Sequence, residues 1–271
     1  MRVGFIGLGS QGGPMARRIV EEGYETTLWA RRPASLEPYA DTAAKTAATP
    51  AELGAASDLV CLCVVGDDDV RQVLEGEHGV LAGMRSGGII AIHSTVHPDT
   101  CRQLAEKTAA QGISLIDATV SGGGMAAAER RLLVMVGGED DAVERVRPVF
   151  ATYADPIVHL GGVGSGQTTK LLNNLLFTAN LATAKSALDL GSALGIDAAR
   201  LGEVITHGTA NSFALGRITN PGGFELLAGH AAGLLRKDVG LIAGLASTAD
   251  AEPGIVLTAA DATLAMMQNP R

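Results

Sequence analysis

The segment Gly164–Asn174, GSGQTTKLLNN, sets Lys170 into the start of a long run whose apolar residues fall at helical spacing. An ammonium on a helix otherwise suited to burial is a candidate for proton chemistry. Removal from water disfavours the charged form, so a buried lysine gives up its proton more readily. It can then exchange that proton with an alcohol or carbonyl oxygen and stabilise a developing alkoxide. Asn174 follows four residues later, one turn along the same helical face. Its amide can hold a substrate oxygen or orient Lys170, whereas Asn173 points about 100° away and reads as structural. Taken alone, Lys170 would read as a lysine at a helix start with its head in water. The rest of the chain decides between the two.

A second group of residues suits a phosphate. Gly7-Leu8-Gly9-Ser10-Gln11-Gly12 is a G-x-G-x-x-G sequence that follows an expected strand and opens an expected helix. The first glycine permits the tight turn, the second admits a pyrophosphate to the backbone, and the third lets helix and strand pack closely. The helix N-terminus then adds amide donors and partial positive charge. At the end of the next strand, where an NAD site usually carries an acid for the ribose hydroxyl, this chain has Arg31 and Arg32. Guanidinium groups suit a 2′-phosphate, so the expected cofactor is NADP, with NAD possible.

Composition excludes several other chemistries. With 271 residues and a net charge of −8 there is no basic stripe for nucleic acid. Six scattered histidines lack metal-ligand spacing, so no metal is expected, and no G-x-S-x-G marks a hydrolase nucleophile. Cys61 and Cys63 alternate on one strand face and, with Cys101, read as free thiols of a reducing compartment. No uninterrupted apolar span suggests a membrane, and the opening MRVGFIGLG lacks the form of a signal peptide. A cytoplasmic protein is expected.

These groups need a scaffold. Apolar runs at Arg2–Ile6, Thr26–Trp29, 43–46, Asp58–Val65, 88–92, 113–118, 132–136 and 156–159 read as strands separated by helices. That alternation predicts a parallel sheet with right-handed crossovers. From Gly166 to Gly195 the period becomes helical, through Leu171, Leu175, Leu181 and Leu188, and no strand-like run returns. Further helices are expected over 198–206, 224–229, 234–246 and 254–267. The expected fold class is therefore α/β. Residues 1–162 form a Rossmann domain with a doubly wound, mostly parallel sheet, and residues 163–271 form an all-α domain entered by a long interdomain helix. A helix of that length, apolar on more than one side, predicts a homodimer or homotetramer through the helical domain.

Four segments together resemble the β-hydroxyacid dehydrogenases, the family of 3-hydroxyisobutyrate dehydrogenase and the glyoxylate/succinic semialdehyde reductases. Phe5–Gly9 with Gly12, Pro14 and Met15 is similar to the family opening FIGLGxMGxPMA, with Gln11 in place of a methionine. Asp117–Gly123, DATVSGG, is similar to its substrate loop DAPVSGG. Gly164, Gly166, Lys170, Asn173 and Asn174 match its catalytic helix, and Lys237-Asp238 its late KD pair.

The resemblance implies a hydride transfer between a nicotinamide and a small carboxylate substrate, a β-hydroxy acid or the matching semialdehyde. It makes Lys170 the catalytic acid/base and gives the substrate carboxylate to Ser121, Gly122 and Gly123. Asn174 would bind substrate and Phe213 would line its pocket. Val64 and Val65 would pass the adenosine ribose, Thr95 would lie beside the nicotinamide, and Lys237 would reach the cofactor with Asp238 as its positioning partner. The helical domain would be of the 6-phosphogluconate dehydrogenase type. His93 and His97 flank the Ser94-Thr95 segment, but without a carboxylate neighbour in sequence they read as structural. The substrate loop departs from the family pattern at Ala126 and at Arg130-Arg131, which leaves the pocket wall open. Two other readings remain at this point: an imine reductase on the same scaffold, and a non-catalytic NADP-binding module. Retention of Lys170 favours carbonyl chemistry over both.

Overall fold

The computed structural model describes residues 1–220 and 222–271. They divide into two compact units, Met1–Lys170 and Leu171–Arg271.

The first unit is built on an eight-stranded sheet of order β3-β2-β1-β4-β5-β6-β7-β8. Its strands are β1 (Val3–Ile6), β2 (Thr26–Trp29), β3 (Lys45–Thr46), β4 (Leu59–Leu62), β5 (Ile89–Ile92), β6 (Ser114–Ser121), β7 (Leu132–Gly137) and β8 (Ala154–His159). Between them run α1 (Gly12–Glu21), α2 (Pro50–Ala55), α3 (Asp67–Glu75), α4 (Val80–Gly83), α5 (Pro98–Ala109), α6 (Gly123–Ala128) and α7 (Asp140–Phe150). Strands β1, β4 and β5 are buried along their whole length, as an apolar run covered on both faces requires. One face packs Phe5, Met15, Ile19, Phe150 and Tyr153 into a core. The other packs Ile6, Leu62, Leu74, Ile92 and Leu104.

The sheet is mostly parallel, as expected, and β7 is the strand that departs, running antiparallel to β6. Only residues 122–131 connect them, largely taken up by α6, and a parallel return needs a dozen residues or more. Strand β6 also extends to Ser121, three residues beyond the expected end, so the DATVS segment is strand rather than loop.

The second unit is helical: the body of α8 (Ser165–Ala193), then α9 (Ala198–His207), α10 (Phe213–Thr219), α11 (Gly223–Thr248) and α12 (Gly254–Met266). The two helices expected over 224–229 and 234–246 are one, because Ala231-Ala232-Gly233 between them continues a helix rather than breaking it. Helix α10 was absent from the sequence expectation; the Ser212 hydroxyl caps it, accepting from the Leu215 amide at 3.1 Å. Leu171, Leu175, Leu181, Val239, Ile242 and Leu264 form the core of this unit. Leu172 and Leu176 on α8 point outward, so that helix is apolar on two sides as expected.

Candidate functional site

Each glycine of the β1–α1 turn is there for a different reason. Gly7 has φ +100°, and a Cβ on it would lie 2.1 Å from the Cys63 carbonyl oxygen. A Cβ on Gly12 would meet the Gly7 carbonyl oxygen at 2.0 Å and the Phe5 ring at 3.0 Å, so this glycine lets α1 lie against β1. A Cβ on Gly9 would meet nothing within 4 Å among the described residues. That glycine serves no packing need among the described residues, and the space beside it is of the kind a pyrophosphate needs to approach the backbone. Leu8 packs against the core, and the Gln11 amide donates to Met15 Sδ at 3.8 Å. The backbone of Ser10 supports α6, because a Cβ on Gly124 would stand 2.3 Å from the Ser10 carbonyl oxygen. The turn thus fits a dinucleotide.

Around it the strand ends supply the remaining candidates. The Val64 amide donates to Ser94 Oγ at 2.8 Å, tying the end of β4 to the loop that carries Thr95, and Val65 is exposed. Arg31 follows β2 by two residues. Its Nη2 donates to Asp69 Oδ1 at 2.7 Å and to Gln72 Oε1 at 3.0 Å, both on α3. Arg32 is exposed.

Lys170 stands near the start of α8, and that start is fixed into the sheet. The fully buried Asp117 carboxylate accepts from the Gly164 amide at 2.6 Å and the Gln167 amide at 2.7 Å. A carboxylate is favoured there by the partial positive charge of the helix end. Burial nevertheless outweighs these hydrogen bonds and raises the Asp117 pKa above the usual carboxylate value. Gly164 has φ +94°, and a Cβ on Gly166 would meet the Met135 carbonyl oxygen at 2.5 Å. Gly166 before Lys170 therefore docks against β7, whereas a Cβ on Gly164 would stand 3.1 Å from the Arg102 guanidinium. Gln167 is also fully buried. Its Oε1 accepts from the Val96 amide at 3.0 Å and its Nε2 donates to the Ser94 carbonyl at 2.8 Å.

Ser121 is the last residue of β6, and Gly122 and Gly123 follow at φ +127° and +79°, a conformation that side chains resist. Arg130 pairs with Glu22 and Arg131 with Glu129, all on the surface. The two arginines that depart from the family pattern are thus satisfied by nearby carboxylates.

In the helical unit, Asn174 donates from Nδ2 to Asp238 Oδ2 at 2.6 Å, and Lys237 Nζ lies 3.1 Å from Asp238 Oδ1. Asp238 is only 5% exposed, so one buried carboxylate holds both side chains. Phe213 opens α10 with its ring exposed and 6.0 Å from that of Phe177.

Residues 2–161 match the model of the NAD binding domain of 6-phosphogluconate dehydrogenase. Residues 164–269 match that of the NAD-binding domain of NADP-dependent 3-hydroxyisobutyrate dehydrogenase. The 3-hydroxyisobutyrate dehydrogenase of Pseudomonas aeruginosa is 31% identical over 88% of this chain and 83% of its own. The chain belongs to the β-hydroxyacid dehydrogenase family. An uncharacterized oxidoreductase of Mycobacterium tuberculosis is 37% identical over 80% of this chain and 73% of its own. The solved 3-hydroxyisobutyrate dehydrogenase of M. tuberculosis with L-serine superposes with a TM-score of 0.85 at 27% identity, covering 100% of this chain and 95% of that one. An imine reductase of Streptomyces aurantiacus, at 21% identity and a TM-score of 0.70, shares the fold. This β-hydroxyacid dehydrogenase is accordingly an NAD(P)-binding oxidoreductase.

In this family member the histidines beside Thr95 have structural work. His93 Nδ1 donates to the Ala118 carbonyl at 2.5 Å, leaving Nε2 to accept from the Tyr153 hydroxyl at 3.3 Å. Burial pushes its pKa down to about 4. His97 caps α5, accepting from the Asp99 amide at 3.1 Å. Burial raises the thiols of Cys61, Cys63 and Cys101, that of Cys63 to about 12, so none is a poised nucleophile. Among the described residues no cluster could hold a metal ion, and no helix is long and apolar enough to cross a membrane. Sequence reasoning missed the anchoring by Asp117 and Gln167, the hold of Asp69 and Gln72 on Arg31, and the Asn174–Asp238 bond. Only Asp117 left a signal, an acid at period two from Ser121 along a strand.

Proposed function

We propose that this enzyme is an NADP-dependent reductase or dehydrogenase of small β-hydroxy acids or their semialdehydes, with Lys170 as general acid/base. The observation that carries the reading is the retention of Lys170 on a helix start fixed into the same unit as the open Gly9 turn. When bound, the nicotinamide supplies or takes up the hydride. In reduction the Lys170 ammonium gives its proton to the carbonyl oxygen; in oxidation the neutral amine takes the proton from the hydroxyl. The Ser121 hydroxyl and the amides of Gly122 and Gly123 receive the substrate carboxylate. Asn174 and Phe213 are assigned to substrate and Lys237 to cofactor on the family resemblance. The preference for NADP is supported by Arg31-Arg32 in place of an acid and by the NADP-dependent enzyme for which the second family model is named. Assembly as a homodimer or homotetramer is supported by the outward leucines of α8, and light scattering tests it. Free thiols support a cytoplasmic setting.

The deciding experiment follows NADPH oxidation with semialdehydes, α-keto acids and cyclic imines, with Lys170→Ala as control. Turnover of a carboxylate-bearing carbonyl is expected, with kcat lowered about 10²–10⁴-fold in the variant while NADPH still binds. Turnover of cyclic imines alone, or of nothing across the panel, overturns the assignment.

A further inference from the structure

Alternate residues of a strand face opposite ways. In β6, Ile116, Ala118 and Val120 enter the core on one side, which leaves Asp117, Thr119 and Ser121 together on the other. Two of these three grip the opening turn of α8. Asp117 accepts from the amides of Gly164 and Gln167, and the Thr119 hydroxyl donates to the Gly166 carbonyl at 3.0 Å. Gly166 itself cannot carry a side chain without striking β7, so the turn has one seat. The third residue of the row, Ser121, opens the substrate loop.

We infer that Asp117 and Thr119 are positioning residues for Lys170: one face of β6 sets the proton-transfer group and the substrate loop in register. Lys170 lies three residues beyond Gln167 and four beyond Gly166, so an error at the clamped turn is carried to it by a rigid helix. The buried Gln167 side chain extends the clamp to the segment around Thr95 through Ser94 and Val96. Neither Asp117 nor Thr119 needs to touch substrate. Displacement of a reacting group by about 1 Å can cost about 10²-fold in rate, so the clamp is felt at the chemical step.

The inference rests on the assignment of Lys170 as acid/base, and the test separates the two. Wild type, Lys170→Ala, Asp117→Asn and Thr119→Val are compared as full-length proteins, for kcat on the best substrate and for NADPH affinity by fluorescence. Asparagine keeps one acceptor but turns an NH₂ toward the second amide. Asp117→Asn is expected to lower kcat at least about tenfold, and Thr119→Val by a smaller factor, with NADPH affinity held within about twofold. The affinity is spared because the Gly7–Gly12 turn is built on β1 and α1. Unchanged kcat, or equal losses in kcat and NADPH affinity, overturns the inference. Should Asp117→Asn fail to fold, Thr119→Val carries the same readout. If Lys170→Ala keeps wild-type turnover, the acid/base assignment falls; if it loses turnover while both strand variants retain it, only the positioning role falls.

Discussion

The sheet unit and the helical unit answer differently to the same residue type. In the sheet unit, many glycines are forced by backbone contact: Gly7, Gly12, Gly124 and Gly166 each face a carbonyl oxygen at 2.0–2.5 Å from a would-be Cβ. In the helical unit, Gly229, Gly233, Gly240 and Gly244 of α11 face nothing within 4 Å among the described residues. Large apolar side chains follow the same division. Leu194, Val204 and Ile255 are 73%, 68% and 82% exposed in the second unit, whereas the central strands of the first are sealed. A parallel sheet fills both of its faces from its own chain. A few helices around one small core do not, and the leftover faces are those an oligomer would use.

The largest effect expected from this contrast is at Gly12. A methyl there must displace the Gly7 carbonyl, which is held by the turn itself, so Gly12→Ala should cost more than about 3 kcal/mol and leave little folded protein. Gly9→Ala, three residues away, should unfold at the wild-type urea concentration but bind NADPH at least about tenfold more weakly. Equal stability loss in both variants would mean that the open space at Gly9 is not kept for a ligand.

Acid sensitivity should belong to the sheet unit as well. His93 is buried and neutral there, whereas His207 and His230 in the helical unit are exposed and bond to carbonyls of their own helices. An unfolded histidine takes up a proton near pH 6.5, but folded His93 does so only near 4. Between those values the unfolded chain binds more protons, so stability is intact above about pH 6.5 and falls as the pH is lowered. The loss amounts to ~3 kcal/mol by pH 4. Urea midpoints measured from pH 7 to 4 should slope less steeply for His93→Phe than for wild type, although the variant is weaker at pH 7. Parallel slopes would assign the acid sensitivity elsewhere.

The same contrast explains what was legible in the sequence. The Gly7–Gly12 turn, the alternation of strand and helix, and the passage to an all-helical second half were readable because backbone sterics and periodicity are local. The direction of β7 was not, since it depends on the length of a connection whose helix α6 lacks a periodic apolar signature. Within the site, Lys170 and Ser121 could be named because the segments that carry them resemble those of the family. The bonds from Asp117 to Gly164 and Gln167 span 47 and 50 residues, and that from Asn174 to Asp238 spans 64. Such pairings are written in the fold and not in any window of sequence.

A smaller effect is expected where the sheet unit meets solvent. Arg31 Nη2 is held by Asp69 and Gln72, and among the described residues no hydrogen bond ties its Nε or Nη1, which suits the 2′-phosphate proposed for it. Replacing Arg31 and Arg32 by alanine should lower kcat/KM for NADPH about ten- to a hundredfold and leave that for NADH within about threefold. A matching fall with both cofactors would show that the pair serves structure rather than the 2′-phosphate.

The smallest effect has the opposite sign from Gly12→Ala. Gly240 lies inside α11 with ordinary helical backbone and an exposed position, so alanine there removes freedom from the unfolded chain and strikes nothing among the described residues. Gly240→Ala should add about 0.5–1 kcal/mol, raising Tm by a few degrees. The gain should hold at every protein concentration if that face is free in solution. If a second copy packs against it, the methyl enters the interface instead: the gain survives only in dilute protein, and the assembly dissociates at a higher concentration than wild type does. Thermal melts over a hundredfold range of concentration distinguish the outcomes. A stabilisation independent of concentration would exclude this face of α11 and leave the proposed oligomer contact to the exposed leucines of α8 alone.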